Sequence, residues 1–79
     1  MKLEHVALLV ADPPNMARWY VEHLGMKVVK RGDEPPGFAR FLADDAGESI
    51  LETYASDVHP VPDYRGMDPA LLHVAFSTE

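Results

Sequence analysis

One short stretch occurs twice in this chain, and that repetition constrains the fold more than any other feature. Leu3–Leu8 reads L-E-H-V-A-L, and Leu71–Phe76 reads L-L-H-V-A-F. Leucine, histidine, valine and alanine recur in the same slots, 68 positions apart in a chain of 79 residues. Recurrence at a fixed period is the signature of a repeated structural unit. One unit is therefore expected to be complete, with a second only begun. The repeat also carries a histidine, so it bears on chemistry as well as on fold.

Local patterns fill in the unit. Leu3–Val10 is rich in valine and leucine and too short for a helix, which suits a strand covered on both faces. Asp12-Pro13-Pro14 opens a helix, since aspartate caps free N–H groups and proline fits a first turn that needs no donor. Met16, Trp19, Tyr20, His23 and Leu24 make one amphipathic stripe, and Gly25 ends the helix. Trp19, Tyr20 and Met16 are expected to anchor it on the sheet by aromatic and thioether burial. Met26–Arg31, Phe38–Ala43 and Glu48–Ala55 read as strands, separated by the loop Gly32–Gly37 and the turn Asp44–Gly47. Ser56–Pro69 holds three prolines and reads as a connector, and Leu71–Ser77 reads as a fifth strand.

The expected fold is α+β: a βαβββ module with a mixed, curved sheet and one amphipathic helix, followed by the first strand of a second module. The expected division is residues 1–55 for the module, 56–70 for the linker and 71–79 for the second module's opening strand. A unit this small buries only about 60% of the surface its unfolded chain exposes, so a partner chain, a metal or further sequence is expected to support it.

Composition narrows the function classes. The formal net charge is −6 and the basic residues are scattered, which argues against a nucleic-acid partner. The longest apolar run, Val6–Ala11, is far below the roughly 20 residues that span a bilayer, so no membrane partner is expected. No apolar leader stands at the start, and there is no cysteine, which together suggest a cytoplasmic protein.

Strand alternation then selects the residues that can converge. In the fourth strand Ile50, Glu52 and Tyr54 share one face. A carboxylate between Ile50 and Tyr54 makes sense if it meets a cation. His5 and His73 hold equivalent slots in the two copies of the repeat, each with an alanine two residues on. Two imidazoles and a carboxylate are a competent set for Zn, Ni, Co, Mn or Fe(II). The plainer readings stay open: strand histidines are more often hydrogen-bonded core or surface residues than ligands, and Glu52 can be an exposed edge carboxylate. His23 reads as a packing residue of the helix and His59 as an exposed linker residue. Arg40 and Tyr54 can line a cavity, though strand pairing explains them equally well.

The ordered set L-E-H-V-A-L-L-V-A-D at Leu3–Asp12, W-Y-V-E-H-L-G at Trp19–Gly25, I-L-E-T-Y at Ile50–Tyr54 and L-L-H-V-A-F at Leu71–Phe76 resembles the vicinal-oxygen-chelate superfamily. That group includes glyoxalase I, extradiol dioxygenases, fosfomycin-resistance enzymes and bleomycin-resistance proteins. The resemblance covers the first module and the opening strand of the second. It implies two βαβββ modules forming a U-shaped sheet around a divalent metal ion, with His5 and Glu52 as the first module's ligands and His73 as the second's first. A fourth ligand, often a glutamate late in the second module, has no counterpart in this sequence. A carboxylate on the fourth strand favours the glyoxalase-I-like pattern, an isomerase or lyase acting on a small oxygenated substrate. The alternatives are a metal-free small-molecule binding protein of the bleomycin-resistance type and an extradiol-dioxygenase-like oxidoreductase. A homodimer is expected in either case, because open strand edges invite pairing.

Overall fold

The computed structural model describes residues 1–77, apart from the side chain of Ser49. The elements run β1 (Val6–Leu9), α1 (Pro13–Leu24), β2 (Lys27–Arg31), β3 (Arg40–Ala43) and β4 (Ser49–Tyr54). The sheet order is β1-β4-β3-β2. β1 runs parallel to β4, while β4–β3 and β3–β2 are antiparallel. This is the expected α+β module, with one helix and a mixed sheet.

Local chemistry sets the limits of the helix. The Asp12 carboxylate accepts a hydrogen bond from the Asn15 N–H at 3.2 Å, and two prolines fill the next positions. Gly25 closes the helix at φ 68°, a left-handed conformation that a side chain would strain. Its N–H donates to the Val21 carbonyl at 3.2 Å. A similar device closes the β3–β4 turn. There Gly47 has φ 80° and donates to the Asp44 carbonyl at 2.9 Å.

The helix lies on one face of the sheet. Ala17, Met26, Leu42 and Leu51 form the buried cluster, with Leu8, Tyr20 and Ile50 packed against it. The expected stripe is only partly the buried one. Pro13 and Ala17 are buried and Tyr20 is half-buried, whereas Met16, Trp19 and Leu24 are exposed. The small Ala17 side chain lets the helix approach Leu42 and Leu51 closely. Trp19 instead packs along the helix surface, 4.9 Å from the His23 ring and 5.3 Å from Tyr20 between centroids.

Strand alternation also departs from expectation at one point. The pairing slips between Leu42 and Ala43, so Leu42 faces Leu51 and Ala43 faces Ser49. Ile50 falls in the slip and packs on the helix-side cluster, not on the face of Glu52.

The expected fifth strand over Leu71–Ser77 is not formed among the described residues. A turn closed by the Leu71 N–H to the Asp68 carbonyl, 2.9 Å, leads into irregular chain that ladders with no strand. The segment crosses to the helix side, where the Phe76 ring lies 6.4 Å from that of Tyr20. A strand exists only through its ladder, and at this position none is offered. Thr78 and Glu79, the end of the expected second-module strand, lie outside the described residues. No helix among the described residues is long and apolar enough to cross a membrane.

Candidate metal centre

The two faces of β4 carry different chemistry, and one buried hydroxyl shows which is which. Thr53 is fully buried, and its Oγ1 donates to the Pro13 carbonyl at 3.2 Å, so Thr53 faces the helix. Glu52, one residue earlier, therefore faces away from it. The register sets Glu52 opposite Ala7 on β1 and Phe41 on β3. His5, two residues before Ala7, reaches over this open face.

His5 and Glu52 meet there. His5 Nε2 stands 3.3 Å from Glu52 Oε1, and His5 Nδ1 stands 3.0 Å from Glu4 Oε1. Glu52 is the more enclosed carboxylate, its side chain 18% exposed against 85% for Glu4. The Phe41 ring abuts the imidazole edge-on, with centroids 5.3 Å apart and planes at 85°. Lys30, opposite Phe41 on β2, lays its ammonium over the same ring at 5.2 Å.

Proton counting makes this arrangement informative. A neutral imidazole has one N–H and one lone pair. In one tautomer Nε2–H faces Glu52; in the other, with Nδ1–H donating to Glu4, the bare Nε2 faces a carboxylate oxygen. Two lone-pair atoms at 3.3 Å repel unless a positive charge stands between them. That charge is either a second proton on the ring or a cation held by both atoms. The donor pair fits a cation: two bonds of about 2.1 Å at the tetrahedral angle leave their outer atoms roughly 3.4 Å apart, close to the 3.3 Å found. Glu4 on the far nitrogen stands where an outer partner would orient the ring of a metal-binding imidazole.

The third expected ligand is elsewhere. His73 is exposed and its Nδ1 donates to the Pro69 carbonyl at 2.9 Å. It lines two hollows beside the C-terminal segment. The smaller, about 300 Å³, is bounded by Leu8, Val10, Met16, Tyr20 and Tyr64 as well. Leu8 pairs with Thr53 and shares its helix-facing side, so this hollow lies across the sheet from Glu52. The larger, about 1010 Å³ and widely open, runs past Val6, Met26 and Leu51. Neither hollow takes in His5 or Glu52. No group of three potential ligands comes together among the described residues. The structure thus unites His5 with Glu52 and keeps His73 apart.

Sequence reasoning did not single out Glu4, Phe41 or Lys30. Glu4 was readable as the neighbour of His5. Phe41 and Lys30 depend on strand register, which a slip on either side of β3 had altered. Arg40 has a structural role: it donates to the carbonyls of Gly32 at 3.1 Å and Ala39 at 3.0 Å, and pairs with Asp33 at 3.1 Å. His59 is exposed, and its N–H donates to Ser56 Oγ at 3.1 Å.

No curated protein and no solved structure matches the chain at a significant level. A family model does, and it spans residues 2–79. On that match, and with a βαβββ module of the expected form, the chain belongs to the Glyoxalase/Bleomycin resistance protein/Dioxygenase superfamily.

Proposed function

We propose that this chain is part of a divalent-metal-dependent enzyme of the glyoxalase-I-like type, an isomerase or lyase acting on a small oxygenated substrate. The observation that carries the reading is the 3.3 Å approach of His5 Nε2 to Glu52 Oε1 on the open sheet face. The proposed ligands are His5, Glu52 and His73. When bound, the ion supplies Lewis-acid polarisation of neighbouring substrate oxygens. Glu4 holds the His5 ring in the tautomer that leaves Nε2 free. Phe41 fixes the ring's tilt and keeps water from one edge of it. Glu52 is anchored on a strand whose neighbouring residue is locked to the helix, so its carboxylate is held by the scaffold, not by a loop.

His73 joins this set when Leu71–Phe76 pairs as a strand beside a β1 edge, as its likeness to Leu3–Leu8 supports. The open β1 edge, with Val6 exposed, supports a homodimer as one form in which that pairing occurs. The test is thermal unfolding with and without Zn, Ni and Mn, since an ion bound only by the folded state raises stability by mass action. At a free ion concentration of 100 times Kd the gain is about 2.7 kcal/mol, and His5→Ala abolishes it. Equal unfolding curves with and without all three ions defeat the reading.

A further inference from the structure

Lys30 stands out among the cationic side chains of the sheet. Lys2 pairs with Glu48 at 2.8 Å, Arg31 with Asp33 at 3.2 Å and Arg40 with Asp33 at 3.1 Å. Lys27 and Lys30 have no carboxylate partner among the described residues, and of the two it is Lys30 that rests on an aromatic ring, that of Phe41. Lys30 is exposed, and it shares the open face with His5 and Glu52. Phe41 is the spacer, with the ammonium 5.2 Å from its centroid on one side and the imidazole 5.3 Å away on the other. An aromatic face holds an ammonium in place while leaving its N–H donors free. Such a cation is positioned by the ring and keeps its N–H donors in water, which an anion can replace.

The chain as a whole repels anions, with a formal net charge of −6 and two carboxylates flanking His5. An anionic ligand needs a local cation to approach this face, whereas a neutral one does not. We infer that Lys30 is a specificity-determining residue that anchors an oxyanion of the ligand, so that the open face takes small oxygenated molecules bearing a carboxylate or phosphate. This deepens the proposed function and rests on it for the oxygens placed at His5 and Glu52. The ligand's anionic group meets the Lys30 ammonium on its solvent side, and its oxygenated carbons extend past Phe41 toward the imidazole.

The experiment is an amide NMR titration of the metal-free chain with 3-phosphoglycerate, with glycerate and with neutral glycerol. The variants are Lys30→Met, Lys30→Arg and His5→Ala. The two anions are expected to shift the amides of Lys30, Phe41 and Glu52, and glycerol is not. A shift with glycerate assigns a carboxylate anchor, and a shift with 3-phosphoglycerate but not with glycerate assigns a phosphate anchor. Lys30→Met weakens anion binding about tenfold or more, as loss of a charge-assisted bond requires, and Lys30→Arg restores it. Lys30 is exposed, so the Met variant keeps its fold, and the Arg variant separates charge from side-chain packing. Anion shifts that are absent, or equal in wild type and Lys30→Met, overturn the inference. A zinc titration of the same samples reads the metal separately. Zinc binding without anion binding defeats the Lys30 role alone, and anion binding without zinc binding defeats the metal reading while Lys30 keeps its role.

Discussion

Replacing Thr53 by valine tests what fixes the direction of Glu52. The two side chains have nearly the same shape, so the exchange deletes a hydroxyl and leaves no cavity. The lost interaction is the 3.2 Å bond to the Pro13 carbonyl, which joins residues 40 apart in sequence inside a fully buried site. A net hydrogen bond contributes about 0.5–1.5 kcal/mol. The acceptor is not orphaned, because a carbonyl has two lone pairs and Pro13 opens the helical ladder. The extra methyl of valine offsets a little of the loss. The expected cost is therefore about 1 kcal/mol, and in a domain of this size that lowers Tm by roughly 4–8 °C. Urea and thermal unfolding followed by circular dichroism measure it. Thr53→Ala, which also removes the buried methyl, is expected to cost about twice as much. Unchanged or increased stability in Thr53→Val would refute the argument that this hydroxyl pins β4 to the helix.

Two further outcomes follow from the same packing. Leu42 is fully buried at the centre of the cluster, and Leu42→Ala is expected to cost about 3 kcal/mol, read as a shift of the urea midpoint at constant slope. Burial raises the Tyr64 hydroxyl above its ordinary value of 10.0, and the bond it donates to the Leu9 carbonyl at 2.7 Å exists only while the proton is held. A raised folded value means the folded state retains the proton longer. The associated stability is fully present below pH 10 and is lost as pH rises through the folded value. Tyr64→Phe should thus lower stability by about 1 kcal/mol at neutral pH and flatten the alkaline decline, in unfolding curves taken across that range.

Where a signal was local, the sequence carried it. Asp12-Pro13-Pro14 and Gly25 set the helix ends through caps that involve only neighbouring residues. The four strands of the module were legible from β-favouring runs broken by turns, within two or three residues at their ends. The misreadings were non-local. The helix offered two faces, and the large side chains of Met16 and Trp19 drew attention from the face of Pro13 and Ala17, which the closeness of the sheet selects. Ile50 left the face of Glu52 because of a register slip that no residue of β4 announces. Leu71–Ser77 has strand-forming residues but pairs with no strand. At the site, the pairing of His5 with Glu52 was legible from alternation and the repeat. The company of Phe41 and Lys30 was not, since it arises from three strands in register.

The most direct measurement concerns one nitrogen atom. Long-range ¹H–¹⁵N spectra of the histidine side chains resolve Nε2 from Nδ1 in each ring. On addition of zinc, the His5 Nε2 resonance is predicted to move to the position of a metal-bound nitrogen while Nδ1 stays protonated toward Glu4, and Glu52→Gln is predicted to weaken that response at least tenfold. Zinc captured through Nδ1, or a His5 ring that zinc leaves unmoved at millimolar concentration, would contradict the account.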